Sequence, residues 1–231
     1  VDTTIPAAAS PLTRDLVAGS RRPAVVLAAF PTALYLILPE HARVLPVVTS
    51  DALVLPTSVR LAEPGPRDWG VAPGEAVTLG GDLVALPSHG IRIVRSWRPR
   101  RVRTGAPQPV AFDWAPLLAE IGRGEGLTPR ADDVLCGALL AARALGIARP
   151  ARVPAERTTS LSASLLVAAH AGYAVSAVVD HVTSVVAGFA DSQATREQIL
   201  AIGHTSGEAL LQGIDLVLDA ANTPLLERIS S

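Results

Sequence analysis

The stretch "ILAIGHTSGEALLQG" (199–213) sets Gly203, His204, Thr205, Ser206 and Gly207 side by side between two helix-like runs. Two readings fit these residue types. In one, Gly203 ends the first helix in a left-handed conformation, Thr205 caps the next, and Glu208 three residues on completes a capping box. In the other, the free N–H groups of that helix start, two hydroxyls and an imidazole make an anion cradle. Gly207 needs its own reason, because glycine in a first turn costs about 1 kcal/mol relative to alanine. Close approach of a ligand to the backbone supplies one reason and tight helix packing another.

A second stretch, "GEGLTPRADD" (124–133), opens a run to residue 145 that is apolar on nearly every face and must be buried in a bundle. Thr128 can cap, Pro129 suits the first helical position, and Asp132 and Asp133 fall in the first turn, where the positive end of the helix favours carboxylates. Capping explains one acid more readily than two. Adjacent helical positions point about 100° apart, so at least one carboxylate faces the bundle and needs hydrogen-bond partners or a ligand. The third stretch, "ERTTSLSASLLVAAHAG" (156–172), brings Thr158, Thr159, Ser160 and Ser162 to another helix start. Hydroxyls there are ordinarily caps. Three such starts in one bundle can also converge on a single anion.

The elements that must position these residues follow from texture. From 24 to about 103, short aliphatic runs alternate with Pro and Gly punctuation and predict strands. "TLGGDLVAL" predicts a hairpin turning at Gly80 and Gly81, and "LAEPGPRDWGVAPGE" (61–75) a surface loop. From about 112 onward helices are predicted in "DWAPLLAEIGRG", 129–145, "TTSLSASLLVAAHAG", "AVSAVVDHVTSVVAG", "SQATREQILAIG" and "SGEALLQGIDLVLDAAN". Strands first and helices second predict an α+β fold, a β-rich N-terminal part packed with a C-terminal helical bundle or layer. The boundaries read as an N-terminal extension over 1–23, a β-rich part over 24–105 and a helical part over 106–231, together one integrated domain.

Composition narrows the function classes. The 231 residues are 49% hydrophobic but 3% aromatic, so Ala, Val and Leu must build the core. The net charge of −1 gives no global field for nucleic acid or an anionic membrane. The one basic run, "RSWRPRRVR" (95–103), reads as a solvated edge strand. A single cysteine, Cys136, excludes an internal disulfide, fits a reducing cytoplasm and reads as a small buried hydrophobe. No Cys/His group has zinc-ligand spacing, and neither a metal nor a cofactor is expected. "AVVLAAFPTALYLIL" (24–38) is 15 residues long and divided by Pro31, short of the ~20 residues a membrane span needs. No small-residue cleavage signature follows it, so two buried strands around a turn are expected, with Val25, Leu27, Leu36 and Leu38 buried. The sequence begins with valine and has no methionine, which fits an alternative start codon in a GC-rich coding sequence.

In their order and spacing, "GLTPRADDVLCGALLA", "TTSLSASLLVAAHAG" and "ILAIGHTSGEALLQG" resemble the signature of the AllH-like family, an uncharacterised-domain family containing AllH-type proteins. The likeness covers roughly 120–215, and "TSVRLAEPGPRDWG" resembles the family's variable N-terminal part. The resemblance implies a subunit of oxamate carbamoyltransferase, acting with two companion subunits in the last step of anaerobic allantoin breakdown, within purine catabolism. Carbamoyl phosphate and oxamate exchange there with oxalurate and phosphate. On that reading Thr205, Ser206 and the Gly207 backbone hold phosphate or carboxylate, with Thr128, Thr158, Thr159, Ser162 and Gly203 completing the ligand-binding set. His204 polarises the carbonyl or exchanges a proton, Asp132 or Asp133 orients the nitrogen nucleophile, and Arg130 pairs with the same anion. The family typically reads L-T-P-S-G-D-D where this chain has Arg130 and Ala131, and carries Asp where it has Ala209. These departures bear on turnover more than on anion binding. The competing class is a non-catalytic ligand-binding or structural subunit with a degenerate site.

Overall fold

The computed structural model describes residues 4–38, 43–188 and 192–222. The chain forms two compact units, Val1–Pro99 and Arg100–Ser231. One is a β-barrel and the other is helical, so the fold is α+β as the texture of the sequence predicts.

In the first unit eight strands close into a barrel: β1 (Thr4–Ala9), β2 (Arg22–Phe30), β3 (Ala33–Leu38), β4 (Arg43–Val48), β5 (Val59–Leu61), β6 (Ala76–Gly80), β7 (Leu83–Ala85) and β8 (Gly90–Ser96). Their order round the wall is β1-β5-β4-β3-β2-β6-β7-β8. The β4–β5 and β1–β8 pairs are parallel and the rest antiparallel. A short helix, α1 (Arg14–Ala18), adds Leu16 and Val17 to the barrel's apolar core. Residues 4–23 are built into the barrel unit rather than appended to it, with β1 paired to both β5 and β8. Its "TIPAAA" has little strand propensity, and pairing with β5 on one side and β8 on the other makes up the deficit.

The 24–38 run forms two strands around a turn as expected, but its burial is only half as expected. Leu34, Leu36 and Leu38 are fully buried, while in β2 it is Ala24 and Val26 that face inward and Val25 and Leu27 that are half-buried. A wholly apolar run carries no alternation to reveal its inner face, so pairing sets the register, here with an irregularity between Val26 and Ala28. The 61–75 stretch lacks regular structure beyond β5 yet buries Trp69, whose indole N–H donates to the Phe30 carbonyl at 2.7 Å. The basic run is solvated at Arg95, Arg98, Arg100, Arg101 and Arg103. Only Arg95 and Ser96 of it lie in a strand, the end of β8, where they pair with Ala8 and Ala9 of β1.

The second unit contains α2 (Ala115–Ala119), α3 (Arg130–Leu145), a 3-10 turn (Ala155–Arg157), α4 (Ser160–His170), α5 (Ser176–Val186), α6 (Ser192–Leu200) and α7 (Ser206–Asn222). The valine-rich segment after 173 is helical, and "DWAPLLAEIGRG" yields only the short α2. Every residue of α3 from Asp132 to Ala142 is buried, which matches its apolar circumference. Helix α7 lies so close to it that a Cβ on Gly137 would stand 2.1 Å from the Leu210 carbonyl oxygen, and one on Gly213 1.9 Å from that of Val134. Backbone contacts this close need glycine on both helices. Among the described residues no helix is long and apolar enough to cross a membrane.

Candidate functional site

The start of α3 is wrapped by the glycine-containing turn before it. The Ala131 amide donates to the Arg123 carbonyl at 3.1 Å, and the Asp132 and Asp133 amides to the Pro129 carbonyl at 3.0 and 3.3 Å. Pro129 occupies the N-cap position with no side-chain cap bond, so Thr128 does not cap this helix. The donors that a helix start offers to an anion are here largely taken by the chain itself.

Asp132 is fully buried and saturated. Its Oδ1 accepts the Gly122 amide at 2.8 Å, and its Oδ2 accepts the Thr158 hydroxyl and, at 2.6 Å, the Ser162 hydroxyl. Three donors satisfy a buried carboxylate without any ligand. Asp132 thus pins the α2–α3 connection and the start of α4 to α3. Thr159 is the N-cap of α4: its hydroxyl oxygen accepts the Ser162 amide at 3.2 Å while its O–H donates to the Leu127 carbonyl at 2.5 Å. The hydroxyl protons of Thr158, Thr159 and Ser162 are all committed within this framework.

Asp133, one position and about 100° further round the helix, has the opposite environment. It is 7% exposed and its Oδ2 is buried without a partner, with the Ser206 hydroxyl close enough to act on its titration. Desolvation pushes its pKa up to about 6; the Ser206 hydroxyl opposes this, the Asp132 charge adds to it, and the Arg130 charge opposes it. The Thr128 hydroxyl lies 3.4 Å from that of Ser206. A carboxyl poised between its two protonation states near neutrality, with one oxygen unclaimed and two hydroxyls beside it, can take up and return a proton.

The "GHTSGE" segment supplies Ser206 from the start of α7. Gly203 adopts φ +59, the left-handed turn that separates α6 from α7. Gly207 has a packing reason: a Cβ there would stand 2.1 Å from the Ile199 carbonyl oxygen. Its amide donates to the Ile202 carbonyl at 3.0 Å, so the expected use of the Gly207 backbone to hold an anion is not met. Gly203, His204 and Thr205 are exposed, and the Arg130 guanidinium, also exposed, donates to Gln212 Oε1 at 2.8 Å. Of the residues expected to act together, Thr128, Asp133 and Ser206 meet, with Arg130 close enough to act on Asp133 by charge. Asp132, Thr158, Thr159 and Ser162 form a separate framework about 100° round α3 from Asp133. Sequence reasoning missed the Gly122 amide as an Asp132 partner. The glycine ten residues before an acid gave no signal beyond a turn.

Comparison with known families bears out the resemblance read from the ordered motifs. Residues 120–218 match the model of the family described as oxamate carbamoyltransferase subunit AllH. The match spans the turn before α3 and nearly all of α7, hence every residue of both clusters, and leaves the barrel outside. No curated protein and no solved structure matches the chain.

Proposed function

We propose that the chain is a subunit of an oxamate carbamoyltransferase-type complex in the cytoplasm and that Asp133, Ser206 and Thr128 form part of its substrate site. The observation that carries this reading is the unpartnered, buried Oδ2 of Asp133 beside Ser206, inside the matched segment. Carbamoyl transfer joins the nitrogen of oxamate to the carbonyl carbon of carbamoyl phosphate. The bond from that carbon to the phosphate oxygen breaks, phosphate leaves, and the nitrogen gives up a proton. Asp133 in its ionised form orients the N–H and takes that proton. The Ser206 and Thr128 hydroxyls, with Thr205, His204 and Arg130 at the exposed side, hold the anionic ends of the substrates and the developing oxyanion. Asp132 acts by position, fixing α3 through Gly122, Thr158 and Ser162. Companion subunits supply the remaining groups, and the physiological setting is nitrogen recovery from purines through allantoin.

A second reading, a ligand-binding or structural subunit without turnover, is favoured by the committed Gly207 and Ala131 amides and by Arg130, Ala131 and Ala209 at positions where the family has other residues. Assembly with the companion subunits followed by assay of carbamoyl transfer separates the two. Loss of transfer on Ser206→Ala with the complex intact supports the transferase site. Full transfer in that variant assigns the chain the second role.

A further inference from the structure

At the far end of α3 three arginines gather where nothing in the proposed reaction uses them. The segment after residue 100 forms an antiparallel bridge between Arg101 and Tyr173, with the Val102 amide donating to the Gly172 carbonyl at 2.9 Å. This brings Arg101 over the Tyr173 ring, 5.0 Å from its centroid, and its Nε–H donates to the Ala171 carbonyl at 2.9 Å. Arg149 donates through a terminal nitrogen to the His170 carbonyl. Arg143 donates through Nε to the Val102 carbonyl at 2.8 Å and lies across Gly172, where a Cβ would stand 2.4 Å from that Nε. Three guanidinium groups thus surround the four residues 170–173 at the C-terminus of α4.

Capping the last carbonyls of a helix explains one cation, since a single guanidinium carries five donors and these carbonyls need few. It does not explain three. Among the described residues none of the three is paired with a carboxylate, and the nearby arginines Arg100 and Arg152 hold Asp180 and Glu156 for themselves. The like charges act on each other. The Arg143 pKa is lowered by burial and then by Arg101 and Arg149, and that of Arg149 by burial and then by Arg101. Each guanidinium spends one N–H on the backbone and keeps the others. A cluster of forked donors with uncompensated positive charge matches a multivalent oxyanion, which accepts several such hydrogen bonds at once and cancels the repulsion.

We propose that Arg101, Arg143 and Arg149 form a binding site for a doubly charged oxyanion of the phosphate type, separate from the Asp133 cluster. Arg143 lies ten positions after Asp133 on α3, about 15 Å along the axis. The site therefore stands whether or not the transferase reading does. The test is calorimetric titration of the purified full chain with inorganic phosphate at constant ionic strength set by chloride. In the Ser206→Ala background, which removes the anion contact proposed for the substrate site, phosphate still binds, while adding Arg101→Gln or Arg149→Gln weakens that binding tenfold or more. Arg101→Lys, which keeps the charge and loses the fork, falls between. Arg101 is exposed, so its variants decide the matter even where Arg149→Gln fails to fold. Absence of phosphate binding in wild type, unchanged affinity in both glutamine variants, or loss of all binding in Ser206→Ala overturns the proposal.

Discussion

Asp132 and Asp133 share a peptide bond and have opposite environments: the carboxylate of Asp132 accepts three hydrogen bonds, whereas Asp133 keeps a buried oxygen with no partner. The helix makes the difference by turning one toward α4 and the Gly122 turn and the other toward the start of α7. Removing the first deletes an acceptor on which three donors depend; removing the second deletes a desolvated group that keeps an unpartnered oxygen. Asp132→Ala is accordingly expected to cost about 3 kcal/mol of folding stability, the scale of leaving buried donors unsatisfied, and Asp133→Ala less than about 1 kcal/mol. Urea unfolding of the two variants checks the order, and equal losses would show that the two acids are not so divided.

The sequence made part of this division legible. That the two acids face apart follows from helical geometry, and that at least one faces the bundle follows from the apolar residues a turn further on. Which acid is satisfied internally was not legible, because Gly122, Thr158 and Ser162 reach Asp132 from segments whose approach only tertiary packing decides. Gly207 shows the same limit: sequence demands a reason for it, and the Ile199 carbonyl decides between packing and a ligand. In the barrel, the strands of 24–38 were legible and their inner face was not. β1 escaped notice because its alanines carry almost no strand signal without their neighbours.

The raised pKa of Asp133 makes stability depend on pH in a defined direction. The folded value is about 6 against an ordinary value of 3.8. Between these the folded state binds more protons than the unfolded one, so this group's contribution to stability falls as pH rises through the window. Asp133→Asn removes that dependence. The variant should gain on wild type between pH 4 and pH 7.5 by up to about 3 kcal/mol, from roughly two units at 1.36 kcal/mol each. Chemical denaturation at the two pH values gives the difference, and a constant gap between variant and wild type would show that Asp133 is not desolvated.

The close approach of α3 and α7 predicts that Gly137→Ala and Gly213→Ala each destabilise the helical unit. A Cβ would stand 2.1 and 1.9 Å from carbonyl oxygens of the facing helix. The helices must part to admit it, at a cost of about 1–3 kcal/mol or more. Because Ser206 begins α7, the same substitutions should move it away from Asp133. Unfolding midpoints equal to wild type would mean that the helices are further apart than described.

Barrel register predicts unequal costs for two leucines of one apolar run. Leu36 is fully buried, and Leu36→Ala should cost about 2–5 kcal/mol. Leu27 is only half-buried, and Leu27→Ala should cost less than about 1.5 kcal/mol. Thermal unfolding of the pair tests the assignment, and the reverse order would place β2 one residue out of register.

The measurement that bears most directly on the proposed chemistry is the rate of carbamoyl transfer by the reconstituted complex carrying Asp133→Asn, followed across pH. Asparagine keeps the shape and removes the proton acceptor. The account predicts that kcat falls by about 10²–10⁴, the scale of a lost general base. It also predicts that the wild-type limb of the pH–rate profile near pH 6 disappears in the variant, with the complex still assembled. Transfer at the wild-type rate with that limb unchanged would contradict the assignment of Asp133 to the reaction.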